Sequence, residues 1–160
     1  MSDAVELTHW DRRFITQAHQ VATWSKDPST QVGVVVVFES DHDPRVQAYN
    51  GMPRGLDDAR PERWDRPVKY LWVEHAERNA VALAARRGTS LLGCTAYITH
   101  PPCADCARSL IQAGIVRVVA PVIPHAEDET QPQAGTWRDS CSLALDMLQE
   151  AGVICASYDK

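Results

Sequence analysis

Two short segments carry the residues whose types and spacing best suit catalysis. His75-Ala76-Glu77 places an imidazole two residues before a carboxylate, and Cys103-Ala104-Asp105-Cys106 is a Cys-x-x-Cys pair preceded by two prolines. At the start of a helix, such a pair puts two sulfurs on one side of the first turn, where the helix dipole lowers the pKa of a thiol. Because neutral imidazoles and thiolates are ligands that zinc prefers, the two segments predict a metal site if the fold brings them together.

The spacing between the segments predicts that they meet. His75 and Cys103 are 28 residues apart. A helix over residues 75–88 would rise ~20 Å at ~1.5 Å per residue. A strand over residues 93–99 would cover ~23 Å at ~3.3 Å per residue. If that strand runs antiparallel to the helix, the chain returns to its starting level, and His75, Cys103 and Cys106 converge from two neighbouring helix N-termini.

Three protein ligands favour a catalytic metal over a structural one. Structural zinc is usually closed by four protein ligands, whereas catalytic zinc keeps one position for water and brings the pKa of that water near neutrality. Glu77 would lie near the metal without binding it, and is predicted to be the catalytic proton carrier. In the alternative interpretation, Cys103 and Cys106 form a redox pair or two buried thiols, and Glu77 only stabilises its helix dipole.

Hydrophobic patterns of helical and strand period alternate along the chain and predict the fold class. The predicted helices span residues 10–25, 74–87, 103–113 and 137–151, and the predicted strands span 32–38, 46–49, 94–99, 115–120 and 153–157. Irregular loops are expected at 51–69 and 121–133. The helix at 74–87 is apolar on almost every side, so it should be deeply buried. The whole order predicts an α/β domain with a five-stranded mixed sheet sandwiched between helices.

Length and composition narrow the class of protein. The 160 residues fit one domain, and 44% hydrophobic with 23% charged residues excludes intrinsic disorder of the whole chain. The longest apolar stretch has seven residues, whereas a membrane span needs ~20, so no membrane partner is expected. The net charge of −5 argues against nucleic acid as a partner. The sequence shows no secretory signal peptide, and its five cysteines are an odd number, which is a poor basis for a set of disulfides. Both features favour the reducing cytoplasm as the expected location.

The motifs together resemble a known superfamily. His-x-Glu followed by Pro-Cys-x-x-Cys is the signature of the zinc-dependent cytidine deaminases, which have a three-layer fold of helices, sheet and helices. Within that superfamily the chain is most similar to the deoxycytidylate (dCMP) deaminases, over roughly residues 10–120. The segments that carry this closer resemblance are residues 25–33, 49–53, 75–80, 103–107 and 111–115.

The resemblance implies hydrolytic deamination of dCMP to dUMP and ammonia. Zn²⁺ would be held by His75, Cys103 and Cys106, and activated water would attack C4 of the cytosine ring. Glu77 would protonate ring N3 and then the departing amine. The backbone amide of Ala76 would hold the pyrimidine carbonyl group.

Asn50 would help to hold the nucleoside, although Asn50-Gly51 is also a common turn signal. Many relatives are hexamers regulated by dCTP and dTTP, and residues 26–31 resemble their nucleotide-contacting loop. The expected partners are therefore a small deoxynucleotide substrate, dCTP and dTTP as possible effectors, and further copies of the chain, from dimer to hexamer.

Residues 54–69 raise a further hypothesis about the substrate phosphate. This stretch holds five cations, one or two of which could bind a phosphate, and four acids: Arg54, Arg60, Arg63, Arg66 and Lys69, with Asp57, Asp58, Glu62 and Asp65. A solvated loop of mixed charge is the alternative. Two other functions stay open, namely a related zinc deaminase acting on another base, a nucleoside or tRNA, and a zinc-stabilised binding module without catalysis.

Overall fold

The computed structural model describes residues 6–123 and 136–159, which form a five-stranded mixed sheet covered by helices on both faces. In chain order the elements are α1 His9–Ala22, β1 Gly33–Phe38, β2 Asp43–Tyr49, α2 Lys69–Trp72, α3 Ala76–Arg87, β3 Cys94–Ile98, α4 Ala104–Gln112, β4 Arg117–Pro121, α5 Trp137–Glu150 and β5 Ile154–Tyr158. The strand order across the sheet is β2-β1-β3-β4-β5. Strand β1 is antiparallel to both β2 and β3, whereas β3, β4 and β5 are parallel.

Strand β1 is buried on both faces of the sheet, as its run of valines predicts. All four valines from Val34 to Val37 have no exposed surface. Val34 and Val36 pack into a core shared with α3, α4 and α5, whereas Val35 and Val37 pack into a core shared with α1. The alternation of side chains along a strand thus divides one apolar run between two helical layers.

Helix α1 approaches the sheet closely because β1 begins with a glycine. A Cβ atom on Gly33 would lie 2.2 Å from the carbonyl oxygen of Ala18 and 2.5 Å from the backbone nitrogen of Ala22. The helix starts at a capping box in which Thr8 and Asp11 exchange side-chain and backbone hydrogen bonds. It ends at Ala22 rather than at residue 25.

The expectation that the helix at 74–87 is deeply buried is wrong. Only a stripe of α3 is buried, and it consists of Ala76, Glu77, Ala80 and Ala84. Ala82 and Ala85 are exposed. Alanine favours helices wherever it lies and has little apolar area to expose, so a run of alanines reports helix formation better than burial.

The stretch predicted as the loop 51–69 contains regular structure at its end. A short 3-10 turn covers Pro61–Arg63, and Lys69 already begins α2. Residues 124–133 of the loop predicted at 121–133 lie outside the described residues. Among the helices of the described ranges, none has the length and apolar character of a membrane span.

Candidate active site

Two helix starts bring the predicted metal ligands together. His75 is the N-cap of α3 and Cys103 is the N-cap of α4, so Cys106 falls in the first turn of α4. Both helices pack against the same face of the sheet. Strand β3 returns the chain to α4 at the level where α3 begins. Across the described part of the chain, His75, Cys103 and Cys106 form the one group of three side chains suited to a metal ion, with ligand atoms within 4.8 Å of one another.

The three donor atoms form a nearly equilateral triangle. Nδ1 of His75 lies 3.5 Å from Sγ of Cys103 and 3.4 Å from Sγ of Cys106. The two sulfurs are 3.6 Å apart. Hydrogen bonds from Cys106 and then from His75 lower the pKa of Cys103 to about 4, against the effect of its burial. The hydrogen bond with Cys103, followed by burial, raises the pKa of the Cys106 thiol.

Glu77 lies beside these donors and is almost inaccessible to solvent, with 3% of its surface exposed. Burial raises the pKa of its carboxyl group above the ordinary value, although hydrogen bonds and the nearby His75 act in the opposite direction. A hydrogen bond with Cys106 places the carboxyl group next to the sulfur pair. A carboxyl group whose burial favours its protonated form suits a general acid and base.

A cavity of about 840 Å³ opens above the three donors. Its metal end is formed by His75, Ala76, Glu77, Cys103 and Pro101. This volume lies within the range of small-molecule sites.

Two walls flank the metal end. One wall includes Asp27, Thr30, Asn50, Arg66 and Lys69. The opposite wall includes residues from the end of β4 and the start of α5, namely Pro121, Val122, Thr136, Trp137 and Ser140. The cavity therefore has a metal-binding end, a polar wall and a mixed wall.

The two predicted substrate-binding residues both line this cavity. Ala76 is the first residue of α3, where backbone N–H groups have no acceptor within the helix. Asn50 is buried, and its side-chain amide donates to Oδ2 of Asp27 at 3.1 Å and to the carbonyl oxygen of Thr30 at 2.9 Å. Its Oδ1 accepts from the backbone N–H of Val32 at 2.8 Å and keeps one lone pair. Asn50 can therefore offer a substrate an acceptor but no free donor.

The chain also matches known proteins. The family model described as the cytidine and deoxycytidylate deaminase zinc-binding region matches residues 8–122. The chain belongs to this deaminase family. The predicted family is thereby confirmed.

Relatives within the deaminase family match over different lengths. An uncharacterized deaminase of the luxG 3′ region in Aliivibrio fischeri is 38% identical over 148 residues, which are 92% of this chain and 92% of that protein. Human deoxycytidylate deaminase is 39% identical over 121 residues, 71% of this chain and 65% of the human protein. A probable deoxycytidylate deaminase of Caenorhabditis elegans is 42% identical over 111 residues, 67% and 54% of the two chains. The chain thus spans about half to two thirds of the latter two relatives.

A solved structure confirms the deaminase fold. The dCMP deaminase of the cyanophage S-TIM5, in complex with dCMP and dUMP, matches with a TM-score of 0.71 and 24% sequence identity, over 96% of this chain and 99% of that chain. The predicted five-stranded mixed sheet between helices is the fold that the two proteins share.

The donor triangle of this deaminase fits a zinc ion. Tetrahedral zinc with Zn–S bonds of ~2.3 Å and Zn–N bonds of ~2.0 Å requires sulfurs about 3.8 Å apart and nitrogen about 3.5 Å from each sulfur. The distances in the structure are 3.6 Å between sulfurs and 3.4 and 3.5 Å from nitrogen to sulfur. His75, Cys103 and Cys106 therefore fit three corners of a zinc tetrahedron without rearrangement.

Sequence reasoning missed a buried ion pair on the polar wall. Nζ of Lys69 donates to Oδ2 of Asp27 at 2.7 Å and to Oγ of Ser29 at 2.8 Å. Burial alone would raise the pKa of Asp27, but hydrogen bonds from Lys69 and the loop backbone outweigh it and lower that pKa. The Asp27-Pro28-Ser29-Thr30 sequence is typical of a side-chain-stabilised turn, but nothing local indicates that Lys69 closes it.

Contacts that hold the two helix starts in register were also missed. Arg78 of α3 bridges Glu74 and Asp105, and Asp105 is one of the two middle residues of the Cys-x-x-Cys pair. Oγ of Ser140 on α5 accepts a hydrogen bond of 3.0 Å from the backbone N–H of Ala104. These contacts fix α4 against α3 and α5, so the donor triangle is held by three helices.

Proposed function

We propose that this protein is a zinc-dependent deaminase that converts dCMP and water to dUMP and ammonia. The observation that carries the proposal is the placement of one buried carboxyl group, that of Glu77, beside three donor atoms with the spacing of a zinc tetrahedron. These groups form the end of a cavity large enough for a nucleotide.

His75, Cys103 and Cys106 would hold the zinc ion. When bound by three protein ligands, zinc lowers the pKa of a coordinated water toward neutrality and so supplies a nucleophile at physiological pH. Both sulfurs are buried, and Cys103 and Cys106 lie at the N-cap and in the first turn of α4, so the ion would be held by two short side chains anchored on one helix.

Glu77 would carry the protons of the reaction. Its carboxyl group would accept a proton from the attacking water and deliver it to ring N3. It would then take the remaining proton from the new hydroxyl group on C4 and deliver it to the amine, which leaves as ammonia while the C4 carbonyl forms. Burial favours the protonated form of the carboxyl group, and the negative charge of the Cys103 thiolate favours it further. In water the same carboxyl group would hold a proton too weakly to protonate a ring nitrogen at neutral pH.

The substrate would be oriented from the metal end toward the polar wall. The backbone N–H of Ala76 would donate to the pyrimidine carbonyl oxygen, because the first turn of α3 leaves that group free of helical hydrogen bonds. Asn50 would accept a hydrogen bond from a sugar hydroxyl through the remaining lone pair of Oδ1. A cytosine held in this way presents its amino carbon to the ion and to Glu77.

The choice of dCMP rests on the family and on the relatives. Relatives at 39% and 42% identity carry the name deoxycytidylate deaminase, although the chain spans only part of their length.

The test is ammonia release from a panel of dCMP, deoxycytidine, cytosine, guanine and tRNA, measured with zinc-loaded protein. We expect the highest kcat/KM for dCMP. Glu77→Gln should lower kcat by about 10²- to 10⁴-fold while zinc content and Tm stay unchanged. Glu62→Gln, at an exposed position of the 54–69 stretch, is the matched control and should retain full activity. Full activity of Glu77→Gln, or a better substrate than dCMP, would contradict the proposal.

Assembly, regulation and compartment complete the proposal. A homo-oligomer between dimer and hexamer, regulation by dCTP and dTTP, and a cytoplasmic location follow from the resemblance and the cysteine composition. Light scattering of the purified protein measures the subunit number. Adding dCTP or dTTP to the dCMP assay shows whether either nucleotide changes the rate.

A further inference from the structure

The cations near the polar wall differ in whether they are already engaged. Arg60 pairs with Asp57 at 3.1 Å. Nη1 of Arg63 donates to the carbonyl oxygen of Asp57 at 2.9 Å, and its guanidinium lies over the ring of Trp72. The ammonium group of Lys69 is buried between Asp27 and Ser29. Each of these three cations therefore already has partners within the protein for its donor groups.

Arg66, by contrast, has no acidic partner among the described residues. It is exposed, it lines the cavity, and it makes no ion pair with any described residue. Its guanidinium carbon lies 5.9 Å from the ring centroid of Tyr70, which also lines the cavity. Arg54 is likewise exposed, but among the described residues it does not line this cavity.

A continuous series of contacts connects the metal end to Lys69. Glu74, next to the ligand His75, exchanges two backbone hydrogen bonds with Gly51, at 2.9 and 3.1 Å. The neighbouring Asn50 donates to Asp27, and Asp27 accepts from Lys69. Arg66 precedes Lys69 by three residues.

These contacts order the polar wall. A nucleotide that places its base at the ion and its sugar at Asn50 would extend its phosphate toward Arg66.

The charge balance of the wall points in the same direction. Lys69 neutralises Asp27, so the pair offers no net charge to a phosphate. A guanidinium can form two parallel hydrogen bonds with a phosphate, and such charge-assisted bonds are among the strongest in proteins. The exposed guanidinium of Arg66 therefore has N–H groups free to donate to a phosphate.

We infer that Arg66 is the residue that binds the 5′-phosphate and selects a nucleoside monophosphate over a nucleoside. This inference rests on the proposed function and deepens it. Arg66 acts on substrate selection, and the chemistry at C4 is left to Glu77 and the ion.

The experiment compares dCMP with deoxycytidine in the parent protein, Arg66→Ala and Arg54→Ala. Arg66→Ala should lower kcat/KM for dCMP by about 10- to 100-fold, chiefly through KM, since the contact forms in the ground state as well as in the transition state. The value for deoxycytidine should change by less than about twofold. Arg54→Ala removes the same charge from the same stretch and should match the parent on both substrates.

Product inhibition gives a second readout. Arg66→Ala should weaken inhibition by dUMP by a similar factor and leave inhibition by deoxyuridine unchanged. Equal losses on dCMP and deoxycytidine, or equal effects of Arg66→Ala and Arg54→Ala, would overturn the role of Arg66 and leave the deaminase proposal intact. A parent protein that does not deaminate dCMP would overturn both.

Discussion

Replacing Lys69 with methionine should destabilise the protein strongly, because it leaves the carboxylate of Asp27 buried without its cation. Asp27 and Lys69 are 2% and 5% exposed. Their charged atoms are 2.7 Å apart. Breaking one partner of such a buried pair typically costs about 3–5 kcal/mol. Asp27 still accepts hydrogen bonds from Ser29, Thr30 and Asn50, so we expect the lower part of this range.

The assay is thermal unfolding of the parent, Lys69→Met, Lys26→Met, and the double variant Asp27→Asn with Lys69→Met. A loss of about 3 kcal/mol corresponds to a fall in Tm of roughly 6–12 °C for a chain of this length. The double variant should recover most of the lost Tm, because the neutral amide of Asn at position 27 needs no counter-ion. Lys26 forms an ion pair with Asp58 whose side chains are 68% and 39% exposed, so Lys26→Met should leave Tm at the parent value.

The same pair predicts a dependence on pH. The pKa of Asp27 is lower in the folded protein than its unfolded value of about 3.9. The stabilisation from Lys69 is therefore complete above about pH 4 and is lost as the pH falls through the folded pKa. The difference in Tm between Lys69→Met and the parent should shrink below that pH. If Lys69→Met lowers Tm at neutral pH no more than Lys26→Met does, the buried pair does not stabilise the fold as proposed.

Two further predictions concern the other face of the sheet. Gly33→Ala should lower the free energy of unfolding, measured in urea, by about 1–3 kcal/mol, because the added Cβ would lie 2.2 Å from the backbone of α1. Gly51→Ala is the control, because a Cβ there would have no atom within 4 Å, and it should change the free energy of unfolding little. Asp11→Asn should cost at least about 2 kcal/mol, since Asp11 accepts hydrogen bonds from Tyr97 and Arg117 that outweigh burial and lower its pKa. The parent should lose that stability as the pH falls below about 4, and the variant should not, so parallel pH profiles would contradict this role.

The metal motif and the sheet were predictable because their signals are local. Cys103 and Cys106 share one helical turn, and His75 begins the helix that one return strand separates from it, so element lengths alone bring the three together. The valine run of β1 likewise reports a strand covered on both faces without knowledge of its neighbours.

The polar wall was not predictable, because its contacts join residues far apart in the sequence. Asp27 and Lys69 are 42 residues apart, and neither differs by type from an ordinary surface residue. Five cations lie at 54–69, and the sequence does not tell which of them the folded loop pairs with a partner. The cation left for a ligand was therefore not predictable. The burial of α3 was overestimated for a related reason, since alanine is compatible with either environment.

Zinc binding by His75, Cys103 and Cys106 is tested most directly by the zinc K-edge absorption spectrum of protein purified without chelators. We expect one zinc ion per chain, bound by two sulfurs at ~2.3 Å and two nitrogen or oxygen atoms at ~2.0–2.1 Å. The absence of zinc, or a coordination shell with three or four sulfurs, would contradict this expectation.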